Sequence, residues 1–112
     1  MAKVYTSCPV EYTASIISNK WKVLILRDLI DGTKRYNELN RSVVGISAKV
    51  LTQNLKDLEN DGIVTRKVYP VVPPKVEYSL TEKGKELKGI LDLMKEFGIK
   101  YKDKKWEKKN YY

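Results

Sequence analysis

The chain contains no histidine and a single cysteine among its 112 residues. Without histidine the commonest general base and metal ligand is missing, and neither a Ser/His nor a Cys/His nucleophile pair can form. A zinc site would have to be assembled almost wholly from carboxylates, against that metal's preference for sulfur and imidazole. We therefore expect no metal and no cofactor. One cysteine permits no disulfide within the chain and fits a reducing compartment. A glycine-rich phosphate loop is also missing. No apolar run reaches the length of a bilayer, and the first residues lack the basic-then-apolar order of a secretion signal, which points to a cytoplasmic protein with no membrane partner. The acidic residues stand beside lysines on surface-like helix positions and read as solvated. No catalytic residue is assigned, and an enzyme is disfavoured.

What the chain has in excess is positive charge: 22 Lys and Arg against 14 Asp and Glu, a net +8. Such an excess favours a polyanionic partner. It is unevenly placed, because six lysines against Asp103 and Glu107 between Ile99 and Tyr112 leave half of the net charge in the tail. The length suits one domain, which we set at residues 1–98, followed by a lysine-rich tail over residues 99–112. That tail reads as a disordered, solubilising end, with an extra DNA-binding arm as the alternative.

Hydrophobic periodicity organises the domain as α+β, mainly α. Pro9 suits the first turn of a helix with Cys8 at its cap, and Val10, Thr13, Ala14 and Ile17 form its stripe. Lys20 to Asp31 is a second helix carrying Trp21, Leu24, Ile25 and Leu29 inward. Residues 33–36 suit a short strand, and Asn37 is placed to cap a brief helix through Val43. Gly45 turns the chain into a further helix, capped by Ser47, in which Ala48, Leu51, Leu55 and Leu58 mark the buried face and Gly62 the stop. Residues 63–69 and 75–80 are strand-like, and Pro70 to Pro74 cannot pair in a sheet interior. This order describes a winged helix-turn-helix with a two- to three-stranded hairpin wing.

One continuous helix from Glu82 to about Tyr101 closes the domain. Leu87, Ile90, Leu91, Met94, Phe97 and Tyr101, widened by Leu93, cover more of its circumference than the ~100° needed to lie on one core. The surplus is explained by a second copy of the chain or by the tail around Trp106 folding back over it. In the first reading Leu87, Ile90, Leu91, Met94 and Phe97 form a dimer interface.

Several runs then carry a family resemblance. Cys8-Pro9-Val10-Glu11-Tyr12, Lys20-Trp21-Lys22, Gly45-Ile46-Ser47, Leu51-Thr52-Gln53, Leu58-Glu59, the wing from Val68 to Lys75, Val76 to Thr81 and Gly84 together resemble the HxlR family of winged-helix transcription regulators. The match runs in order from Cys8 to Gly98. Two departures stand out: Ala48 replaces a larger polar residue, and Ser18-Asn19 a glycine-rich turn. The resemblance implies a DNA-binding homodimer whose N- and C-terminal helices make the dimer contact, which adds Val10 and Ile17 to the interface. It also implies a redox or electrophile-sensing role, in some members, for the cysteine that is Cys8 here.

With the leucine seam buried, Lys49, Gln53 and Lys56 project outward and Thr52 lies on their flank. Gln53 can pair bidentately with adenine, and Lys49 can reach guanine acceptors or a phosphate. Ser47 at the cap, Arg66, Lys67 and Lys75 on the wing, and Lys34 and Arg35 before the turn complete the candidate DNA-binding set. Arg66 and Lys67 point to opposite faces of one strand, so one of the two is expected to reach DNA. The partner would be a palindromic double-stranded operator read by a symmetric dimer. A winged helix that docks proteins without specific DNA recognition is the competing reading. For Cys8 two roles stand open: a thiolate favoured by unpaired N–H groups and the helix dipole, with Lys3 adding charge, or a small cap residue packed under a partner helix.

Overall fold

A computed structural model describes residues 7–110 of the chain; Lys3 lies outside them. The described residues form α1 (Pro9–Ile16), α2 (Lys20–Ile30), β1 (Lys34–Arg35), α3 (Tyr36–Ser42), α4 (Ala48–Asn60), β2 (Val64–Tyr69), β3 (Lys75–Leu80), α5 (Glu82–Lys85), α6 (Lys88–Tyr101) and α7 (Lys104–Lys109). The strands make one antiparallel sheet in the order β1-β3-β2. Among the described residues no helix is long and apolar enough to cross a membrane.

The core forms where α2, α3 and α4 meet the sheet. Ile25, Leu26 and Leu29 of α2, Leu39 of α3 and Leu51, Leu55 and Leu58 of α4 are buried together, with Val43, Ile63, Val64 and Tyr78 closing the cluster. Each such side chain contributes roughly 1.5–3 kcal/mol on burial. Two glycines shape this arrangement. Gly45 (φ 87°) turns the chain between α3 and α4, and Gly62 (φ 74°) takes the left-handed position just past α4, which a side chain would resist. Ser47 caps α4 as expected, its Oγ accepting from the Val50 N–H at 3.2 Å.

The structure corrects several expectations. The cap of α3 is the Arg35 position, not Asn37: the Glu38 carboxylate accepts from the Arg35 N–H at 2.9 Å. On α1 the inward residue is Ile16, while Val10 stays 76% exposed. The long C-terminal helix is broken at Glu86 and Leu87, whose N–H groups donate to the Lys83 and Gly84 carbonyls three residues back. That tighter turn swings Leu87 into the domain's own core, 8% exposed, so it is not available to a dimer contact. Beyond Ile99 the chain is not uniformly irregular. Asp103 accepts from the Trp106 N–H at 2.8 Å and caps α7, a local hydrogen bond that the lysine count obscured.

The break sits beside a tight joint. The Thr81 N–H donates to the Ile63 carbonyl at 3.0 Å, the Thr81 hydroxyl donates to the Gly62 carbonyl at 2.6 Å, and the same oxygen accepts from the Gly84 N–H at 3.0 Å. Gly84 is buried, and a Cβ there would run into the Ile63 carbonyl. We expect Gly84→Ala to cost about 1–3 kcal/mol of unfolding free energy or more, read as a lowered urea midpoint at unchanged slope. An unmoved midpoint would mean that the joint opens without penalty.

Candidate nucleic-acid interface

Burial of Leu51, Leu55 and Leu58 fixes how α4 is rolled about its axis and so which residues it presents outward. Ser47, Lys49, Thr52, Gln53 and Lys56 are all exposed. Lys49, Gln53 and Lys56 form the stripe opposite the seam. Among the described residues no ion pair engages Lys49, Lys56 or Arg66.

Two neighbours brace α4 on either flank of that stripe. On one side the Tyr36 hydroxyl donates to the Ala48 carbonyl at 3.1 Å and lies 3.1 Å from the Thr52 hydroxyl. The single phenolic proton is spent on a carbonyl that can only accept, so Thr52 is the donor to Tyr36. Thr52 thus offers an incoming group its methyl and an acceptor, not a proton. On the other side Asn19 of the α1–α2 turn donates to the Asn54 carbonyl oxygen at 3.1 Å, and the Asn54 amide nitrogen donates to the Val50 carbonyl at 2.8 Å. Asn54 and Lys22 are the buried polar residues of the chain's interior. Neither was singled out from sequence. The signal was present: Asn54 stands three residues after Leu51, and Lys22 four before Leu26, so both fall on inward-facing helical positions. Asp57, read as solvated, lies 3.8 Å from the Lys22 ammonium and accepts from the Gln53 amide at 3.0 Å.

Strand register sorts the wing residues. Arg66 pairs with Tyr78, and Lys67 with Glu77; residues directly opposite in an antiparallel pair share a face. Arg66 therefore lies on the α4 side, lining a cleft with Tyr36, Thr52, Lys56, Glu59 and Tyr78. Lys67 takes the other face. There Lys67 and Lys75 both lie over the Tyr69 ring, at 4.9 and 4.8 Å, and Lys75 is paired with Glu77 at 3.0 Å. Arg35 joins Lys75 in a hollow beneath the wing tip of Val71 to Pro74. Lys34 is not brought to this surface; it lines a separate hollow with Asp28, Asp31, Glu38 and Arg41.

Away from the wing, α6 buries none of its residues. Ile90, Leu93, Met94 and Phe97 (67%) are exposed, whereas Ile17 and Leu91 pack partly against the core. The tail does not cover this stripe: Trp106 of α7 is itself 55% exposed. On the same stretch the Lys88 ammonium is held above its ordinary value by a hydrogen bond to Asp92 and by that carboxylate's charge. Cys8 is exposed at the start of α1, at the N-cap position but with no side-chain cap hydrogen bond.

Comparison with known proteins agrees with this geometry. The family model for the HxlR-like helix-turn-helix matches residues 16–106. The chain is 50% identical over 100 residues to YdeP of Bacillus subtilis, an uncharacterised HTH-type transcriptional regulator, covering 89% of this chain and 78% of that protein. A MarR-family regulator from Porphyromonas gingivalis W83 superposes with a TM-score of 0.83 at 39% identity, over 90% of this chain and 99% of the other. The oxidised form of the redox regulator HypR superposes at 0.81 with 51% identity, over 86% and 99%. The fold is that of the MarR-type winged-helix regulators, and the chain belongs to the HxlR-like family of helix-turn-helix transcriptional regulators.

Proposed function

We propose that the protein is a homodimeric, sequence-specific DNA-binding regulator that sets α4 of each protomer into the major groove of a palindromic operator. The observation that carries this reading is the exposed Lys49, Gln53 and Lys56 stripe with Arg66 beside it on the wing. Gln53 reads a base edge, Thr52 offers a methyl and an acceptor, and Lys49, Lys56 and Arg66 meet phosphates or guanine acceptors. The Ser47 hydroxyl, accepting within the helix, keeps its proton for a phosphate. Lys67, Lys75 and Arg35 supply the outer rim of positive charge. Lys34, in its separate hollow among three carboxylates, takes no part in this contact. A regulator holding chromosomal DNA works in the cytoplasm.

Dimerisation rests on the uncovered stripe of Ile90, Leu93, Met94 and Phe97, together with Val10 on α1. Ile17 and Leu91 back these residues from the core side. A contiguous apolar face of this kind seeks a partner, and a two-fold pair places two recognition helices on successive half-sites. Cys8 gives the dimer a redox input: its exposed thiol suits oxidation, and any protein disulfide must join it to another chain. The similarity to HypR, described as a redox regulator, supports that input.

Three measurements check these roles. On a selected operator and a scrambled duplex at matched salt, Gln53→Ala should lower discrimination by about 1–3 kcal/mol. Arg66→Ala should weaken both duplexes alike and reduce the salt slope by about one. Equal losses for both variants on both duplexes would overturn the assignment, and binding without steep salt dependence would favour a protein-docking role. Phe97→Glu with Leu93→Glu should give a folded monomer by light scattering with strongly reduced operator affinity; a persistent dimer would move the interface elsewhere. Cys8→Ser should bind the operator as wild type does and lose any response to mild oxidant, and identical responses would remove the sensor role.

A further inference from the structure

The Lys22, Asp57 and Gln53 side chains form a chain of contacts running from the α1–α2 junction to the outer face of α4. The Lys22 side chain is 8% exposed, yet it carries an ammonium. Its polar neighbours are the Ser18 hydroxyl at 3.4 Å and Asp57 Oδ2 at 3.8 Å. A charge so enclosed needs its counter-charge, so Lys22 holds one oxygen of Asp57 in place. The other oxygen, Oδ1, accepts from the Gln53 amide nitrogen at 3.0 Å. Asp57 is thus engaged at both oxygens, although its side chain is 40% exposed.

This arrangement dictates the polarity of Gln53. A carboxylate can only accept, so the amide must turn its nitrogen, not its oxygen, toward Asp57. One amide proton is then used, and the second proton and Oε1 are left to serve as donor and acceptor. That pair matches the N7 acceptor and N6 donor on the major-groove edge of adenine. Were the amide free to turn over, the order of donor and acceptor would reverse and the match would be lost.

We infer that Asp57, held by the buried Lys22, is a specificity-determining positioning residue: it orients the Gln53 amide so that the recognition helix selects adenine at one operator position. The inference rests on the DNA-reading role proposed for Gln53. Asp57→Asn removes the constraint, because a neutral amide at position 57 can donate or accept and satisfies Gln53 in either orientation. Lys22→Met leaves the carboxylate without its inner partner, and Lys22→Arg restores a buried cation.

The test is selection from a randomised duplex library by the full-length wild type, Gln53→Ala, Asp57→Asn, Lys22→Met and Lys22→Arg. Gln53→Ala identifies the base pair that depends on Gln53. At that pair, and at no other, Asp57→Asn and Lys22→Met should lose roughly tenfold in preference for adenine, with Lys22→Arg retaining it. Full preference retained by Asp57→Asn and Lys22→Met at the Gln53-dependent pair overturns the inference while leaving the DNA-reading role intact. A uniform loss across all positions in Asp57→Asn marks a merely structural residue and overturns it too. No selected motif in the wild type, or none altered by Gln53→Ala, overturns the reading role and the inference together.

Discussion

The exposed face of α4 depends on the burial of one apolar seam. Leu51, Leu55 and Leu58 recur at helical spacing and are enclosed by α2, β2 and the remaining core. Their exclusion from water leaves α4 a single favourable rotation about its axis. The polar stripe is set by the seam, because residues half a turn away have no alternative but to face out. Caps and braces then refine the placement: Ser47 starts the helix cleanly, and Tyr36 and Asn19 hold its two flanks.

The fold was legible wherever a pattern was local. Helix periods, the Ser47 cap and the proline-interrupted hairpin each left a signature in a handful of residues, and the strands lie almost where alternation placed them. What could not be read was what depends on contacts distant in sequence. The C-terminal helix breaks next to the close approach of Gly84 to Ile63, more than twenty positions earlier, and no periodicity announces such a meeting. Leu87 shared its helical face with exposed residues, so its inclusion in a dimer stripe was natural and mistaken. For the interface, the outward residues of α4 were visible from the seam, and strand register separated Arg66 from Lys67. The neighbours of Gln53 were not visible, since an aspartate one turn along a helix looks solvated until a lysine from another helix arrives.

Charge alone described the protein poorly. The basic excess lies mostly in the tail and the wing, α4 carrying as many acids as bases, and several lysines are already engaged, Lys75 by Glu77 and Tyr69 and Lys22 by Asp57. The cations with no ion-pair partner among the described residues include Lys49, Lys56 and Arg66. Lys56 and Arg66 line one cleft between α4 and the wing, and Lys49 stands on the same exposed face of α4 as Lys56.

The Thr81 hydroxyl sits where three parts of the molecule converge. It bonds Gly62 just past α4, adjoins the first strand of the wing and caps α5, which leads into α6. No slack linker separates these parts. A tilt of the C-terminal helices would therefore pass into α4 and the wing as a lever turns about a fulcrum, with threonine as the pin.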